Sequence, residues 1–280
     1  MSEPENNDTE FQNVLRSLES QSLGGGPAGP PEGMAGARPS VRVRVPLVVG
    51  APWAARALLV LNIVIFALPW LLSVATGQPF DLFVLALGAK DNQAIALGGE
   101  YYRFLTAMFL HGGPAHIAFN SWALYALGFE TERVYGTPRF LVLYLLAGLG
   151  GGVASYALNP NPSVGASGAI FGLIGALGAF YYVARKVLGG IAREQLGSLV
   201  FITLINIGLG LTTPSIDNNA HIGGLVTGAL AGWLLAPRFV VEARIYPPRI
   251  SRRPLPLGWA GVLGIFILLV ILIAVIRPPM

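Results

Sequence analysis

The chain has 280 residues, of which 54% are hydrophobic and only 11% charged, with no cysteine and a formal net charge of +4. A soluble domain carries roughly 25% charged residues, so this composition belongs in a membrane. It excludes a disulfide framework, a thiolate nucleophile and a cysteine-ligated metal. The net charge reports topology and attraction to lipid headgroups, and gives no reason to invoke nucleic acid.

Residues 1–45 carry Glu3, Glu5, Asp8, Glu10 and Glu19, then a Gly/Pro stretch from Gly24 to Gly36. Such a segment buries too little apolar surface to fold alone and is expected to be a disordered cytoplasmic tail. Only Phe11, Val14, Leu15 and Leu18 hint at one face of a short helix. The tail is too acidic for a transit peptide, and no apolar h-region precedes residue 46, so the full chain is expected to persist.

A bilayer crossing needs roughly 20 mainly apolar residues. Seven segments are candidates, at about 55–76, 114–129, 137–158, 165–184, 196–213, 219–236 and 257–276. The second is short for a full crossing. Phe104-Leu105 and Ala107 through Leu110 precede it, cut off by Gly112-Gly113-Pro114, and are expected to lie at the membrane surface. Pro114 suits a first-turn position, where a missing N–H is harmless. With the N-terminus in the cytoplasm, 15 of the 18 Lys and Arg fall inside, leaving Lys90, Arg103 and Arg277 outside. The positive-inside rule therefore predicts N-in and C-out.

All three histidines of the chain sit at or near the starts of apolar runs. The sequence reads His111-Gly-Gly-Pro-Ala-His116-Ile-Ala-Phe-Asn120, then Gly165-Ala-Ser167-Gly168, then Asn219-Ala-His221-Ile-Gly223-Gly224. Polar groups inside membrane segments are costly and invite a functional reading. Under the predicted topology spans two, four and six all start on the outer side, within roughly 10 Å of which these groups fall at 1.5 Å per residue. His116 and Asn120, at i and i+4, share a helix face. A serine, a histidine base and further hydrogen-bond donors are the inventory for acyl transfer.

Gly168-xxx-Gly172 and Gly224-xxx-Gly228 are small-xxx-small patterns that let two backbones approach closely. Taken singly, each feature has a plain alternative. A membrane serine is usually a packing residue or bonds its own helix carbonyl. Asn120 suits a helix–helix hydrogen bond, and His111 a loop end. Jointly these alternatives require every histidine to gather at one surface by accident. Three histidines also raise a metal site, but no His-Glu-x-x-His and no carboxylate on these faces supports zinc.

These motifs resemble the rhomboid family of intramembrane serine proteases over about residues 55–237. The resemblance rests on His111-x4-His116-x3-Asn120, Gly165-Ala166-Ser167-Gly168 and Ala220-His221-Ile222-Gly223-Gly224, in family order. Tyr102-Arg103 resembles the aromatic-Arg pair of the family's first external loop, and Glu130-Thr131-Glu132-Arg133 its charged cluster after span two. It implies an all-α polytopic membrane protein with a six-helix core, and 257–276 as a seventh helix.

By the same resemblance Ser167 is the nucleophile and His221 its base, without an acidic third member. His116, Asn120 and the Ser167 N–H would hold the oxyanion. Phe171 would pack against the base, where the family often has tyrosine. Gly165 and Gly168 flank the serine, Gly224 is the contact between spans four and six, and His111 a structural residue of the outer rim. Residues 212–219 are a candidate flexible cap. The implied partners are transmembrane protein substrates entering from the lipid bilayer past span five, with helix-weakening and small residues near their outer ends. No metal or other cofactor is expected. A catalytically inactive relative that binds membrane helices would be expected to lack Ser167 or His221, and both are present. A transporter would place its polar site near the midplane.

Overall fold

The computed structural model describes residues 50–242 and 249–280. The expectation of a disordered tail over 1–45 lies outside the described residues. The described chain is mostly helical. In order it forms α1 Trp53–Thr76, α2 Phe80–Ala86, α3 Asn92–Ala96, α4 Arg103–Thr106 and α5 Pro114–Ala123. A π-helical turn, Leu124–Gly128, leads without a break into α6 Phe129–Tyr135. Then come α7 Thr137–Leu158, α8 Ser167–Leu188, α9 Gly190–Thr212, α10 Asn218–Leu235, β1 Arg238–Glu242, β2 Arg249–Arg253 and α11 Gly258–Val275. Residues 239–253 belong to a separate unit, whose described part pairs β1 with β2.

Five described helices, α1, α7, α8, α9 and α11, are long and apolar enough to cross a membrane. Helix α10 carries two asparagines, a histidine and four glycines within Asn218–Leu235. It packs most extensively of all, against α8 and α7. Glycine is the reason. A Cβ at Gly224 would overlap the Gly168 carbonyl oxygen, and one at Gly228 the Gly172 carbonyl. On the α7 side, a Cβ at Gly223 would lie 2.7 Å from the Gly150 oxygen, and one at Gly151 2.7 Å from the Ala220 oxygen. In lipid such contacts act through van der Waals packing, because tails compete equally for apolar side chains. Tyr135 pins the far end, its hydroxyl within 2.7 Å of the Ala176 carbonyl and 3.1 Å of the Gly232 carbonyl.

Three sequence expectations are corrected. The helix that carries the second apolar run is longer than the run itself, because the helical path continues from Pro114 to Tyr135. The carboxylates beyond Phe129 are satisfied internally. Glu132 accepts from Ala54 N at 3.1 Å, Ala55 N at 2.7 Å and Thr137 Oγ1 at 2.6 Å, and Glu130 accepts from Tyr181 Oη. Residues 104–110 are not a peripheral segment of the fold. Phe104, Met108 and Leu110 are buried, with Met108 beside Gly148 and Phe104 beside Gly152 on α7. Spans four and five are separated by Gly189 alone, whose φ of 55° turns the chain without a loop.

The segment between α1 and α5 is held by two buried cations. Arg103 donates to Glu100 at 2.7 Å and to the carbonyls of Leu85 and Ala89 at 2.9 and 2.8 Å. Lys90 donates to Asn92 Oδ1 at 3.2 Å and to the carbonyls of Asn159 and Asn161, both at 2.8 Å. Asn92 in turn donates to the Pro279 carbonyl at 2.7 Å, tying the residues after α11 to this corner.

Candidate active site

Ser167 opens α8, half-buried, directly after a loop that glycine permits. Gly165 has φ 127°, a region L side chains rarely adopt, and its N–H donates to the Ala107 carbonyl at 2.9 Å. A Cβ there would lie 2.7 Å from His116 Nε2 and 3.6 Å from Ser167 Oγ. The missing side chain is what lets His116 face the serine. As the first residue of a helix, Ser167 also presents N–H groups that lack intrahelical acceptors, a natural place for negative charge.

His116 Nδ1 accepts from Gly112 N at 3.3 Å. In a neutral ring the proton is therefore on Nε2, which becomes a donor on the serine side. Asn120 is buried and its Nδ2 donates to the His116 carbonyl at 2.9 Å, one turn back on its own helix. An amide nitrogen carries two protons, so one remains for a second acceptor.

His221 lies in the first turn of α10, buried and stacked on Phe171 with ring centroids 4.1 Å apart and planes 8° from parallel. Its Nδ1 meets no protein hydrogen-bond partner among the described residues, so stacking, and not a carboxylate, orients the ring. Gly168 and Gly224 set the separation of the two helices at this level. His116 and His221 are close enough to interact electrostatically.

His111 is not at a rim. It is fully buried, edge-on to His116 at 5.3 Å, with Nδ1 3.2 Å from the Phe109 carbonyl. Its ring is enclosed by the protein and packs against that of His116. The supposed flexible cap over 212–219 shrinks to residues 213–217, because Thr212 ends α9 and Asn218 starts α10. Asn218 Nδ2 also donates to the Ile207 carbonyl at 3.0 Å, tethering the turn.

The sequence reading missed Asp217. It caps α10 by accepting from Ala220 N at 3.1 Å, and accepts from Ser155 Oγ on α7. Burial alone would raise its carboxyl, but the hydrogen bonds from Ser155, Asn159, Ala220 N and Ser163 outweigh this and hold it below the ordinary range. Burial pushes Lys90 down to about 8, while Asp217 and Asp91 pull the other way. An aspartate just before an apolar run was a legible helix-start signal. The four glycines within 148–152, which receive α10, were equally visible.

Residues 98–238, half of the chain, match the Rhomboid domain. The chain belongs to the rhomboid family. It is 43% identical over 182 residues to the rhomboid protease GluP of Bacillus subtilis, covering 65% of this chain and 34% of that one. It is 38% identical over 161 residues to RHOMBOID-like protein 4 of Arabidopsis thaliana, covering 57% of this chain and 40% of the relative. To RHOMBOID-like protein 6, mitochondrial, of the same plant it is 39% identical over 150 residues, 53% of this chain and 48% of that one. The match thus spans between a third and a half of these relatives' lengths. A rhomboid with this many long apolar helices is a multi-pass membrane protein.

Proposed function

We propose that this rhomboid is an intramembrane serine endopeptidase that cuts transmembrane segments near the outer face of the cell membrane. The observation that carries the reading is the His221 ring lying flat on Phe171, one turn after Ser167. It ties the base-bearing helix to the serine-bearing helix at the depth where both begin. In the reaction Ser167 Oγ attacks the scissile carbonyl and its proton passes to His221 Nε2. The negative oxygen is held by the Ser167 N–H, His116 Nε2–H and Asn120 Nδ2–H. His221 then protonates the departing amine, and water releases the acyl group by the reverse path. No metal or other cofactor takes part.

The architecture under this reading is six helical spans plus α11, with the N-terminus cytoplasmic and the C-terminus outside. Substrate arrives from lipid past α9, which buries only Ala192 and Leu199.

Purified protein with a panel of single-span substrates tests this. Ser167→Ala and His221→Ala each abolish cleavage, without additivity, because nucleophile and base act as a unit. Asn120→Ala lowers turnover by about 10²–10³ with little change in affinity. Normal turnover in folded Ser167→Ala sinks the assignment. Helix binding without cleavage by the parent protein favours an inactive rhomboid-like protein.

A further inference from the structure

The loop before the nucleophile runs between two charged groups that no step of the proposed reaction uses. On one side Lys90, 2% exposed, spends all three ammonium protons on Asn92 Oδ1 and the carbonyls of Asn159 and Asn161. Its backbone pairs with Ser163 in both directions, N to O at 2.9 Å and O to N at 3.0 Å. On the other side, the Asp217 carboxylate takes the hydroxyl of Ser155 in the last turn of α7, and the Ser155 carbonyl accepts the Asn159 N–H at 2.8 Å. Residues 159–163 are therefore held directly by Lys90 and, through the last turn of α7, by Asp217.

Each anchor is linked to one half of the proposed catalytic pair. Ser163 lies four residues before Ser167. Asp217 lies four residues before His221, and its carbonyl accepts the His221 N–H at 3.2 Å. Asp217 therefore holds the first turn of α10 and the end of α7 that leads into the serine loop at once, while Lys90 fixes the loop from behind.

We infer that Lys90 and Asp217 form a positioning clamp that sets the register between the Ser167 loop and the His221 helix. The inference rests on Ser167 and His221 being the reacting pair. Neither clamp residue touches substrate. Both are positioning residues. A buried ammonium is costly to retain for stability alone, and three acceptors around it are stranded if it is removed. Its return here is geometric. A displacement of about 1 Å in a reacting pair costs about 10²-fold in rate.

The test uses the full-length protein in detergent with two variants. Lys90→Met keeps the apolar stem and strands the three acceptors. Asp217→Asn retains a good helix cap and removes the charge, which keeps the test alive if Lys90→Met fails to fold. The deciding readout is the NMR spectrum of histidine-labelled protein, in which only three histidines contribute. The His221 ring signals, assigned with His111 and His116 variants, carry the ring-current shift of Phe171. In a folded variant the clamp predicts that this shift changes; unchanged His221 signals in Asp217→Asn overturn the clamp.

A second arm measures labelling of Ser167 by a fluorophosphonate. The expected result is a rate constant lower by about tenfold or more with full final amplitude. A purely structural role would cut the amplitude and leave the rate of the remaining fraction unchanged, and that result also overturns the clamp. Absence of labelling and turnover in the folded parent protein sinks the protease reading instead, while the NMR result still decides the clamp.

Discussion

Helices α8 and α9 are neighbours in sequence with the same mean hydropathy, 1.6, yet they live in different surroundings. Helix α8 buries 14 of its 22 residues and α9 buries 2 of 23. Hydropathy says only that both belong in a bilayer. What separates them is where glycine meets backbone. Gly168, Gly172 and Gly175 of α8 each face main-chain atoms of α10 or α7, whereas Gly197 and Gly208 of α9 face open space. Close approach makes one helix part of the protein and leaves the other for lipid.

The largest test of that contrast is Gly224→Val. Its side chain would have to occupy the position of the Gly168 carbonyl, which is backbone and cannot swing aside. Overpacking of this kind costs about 1–3 kcal/mol or more, and the displaced pair should lose at least about 10²-fold in activity. Specific activity and thermal unfolding in one detergent check both. Parental activity in Gly224→Val would rule out contact between α8 and α10 there.

Next in size is a pH effect confined to the packed side. Asp217→Ala removes a helix cap and should cost about 1–2 kcal/mol at pH 7. The folded carboxyl is held below its ordinary 3.8. Its contribution is therefore fully present above that value and lost as pH falls through the lowered folded pKa. Melting curves of parent and variant should differ near neutrality and converge in acid. A gap that stays constant down to the lowest pH at which the protein folds contradicts the assignment.

Smaller still is Gly208→Val on α9. No atom lies within 4 Å of the added Cβ, so stability should change by no more than about 0.5 kcal/mol. A loss comparable to that of Gly224→Val would mean that α9 packs more tightly than described. Smallest is Gly264→Val on α11, also in open space. Unchanged melting temperature and unchanged activity are expected. A clear drop in activity would make α11 part of the working core.

Much of the site was legible along the chain because it is local. His116 and Asn120 share a turn, Gly165 and Gly168 bracket Ser167, and Phe171 follows one turn later. Helical periodicity alone places such neighbours. The Lys90 and Asp217 network was not legible, since its members are scattered over 90, 155, 159, 163 and 217 and no period links them.

The sequence by itself determined the membrane class, the starts of the helices that carry His116, Ser167 and His221, and the glycine pattern that lets two of those helices meet. These follow from composition, from backbone propensity and from side-chain volume, all properties of the local chain. Only the tertiary structure decided that α10 is central although its mean apolarity is modest, and that Phe104, Met108, Leu110 and His111 are buried. It also decided that α8 is mostly buried and α9 mostly exposed despite equal hydropathy. Those outcomes depend on which surfaces find a complementary partner, and in a bilayer apolarity gives a helix no preference between lipid and protein.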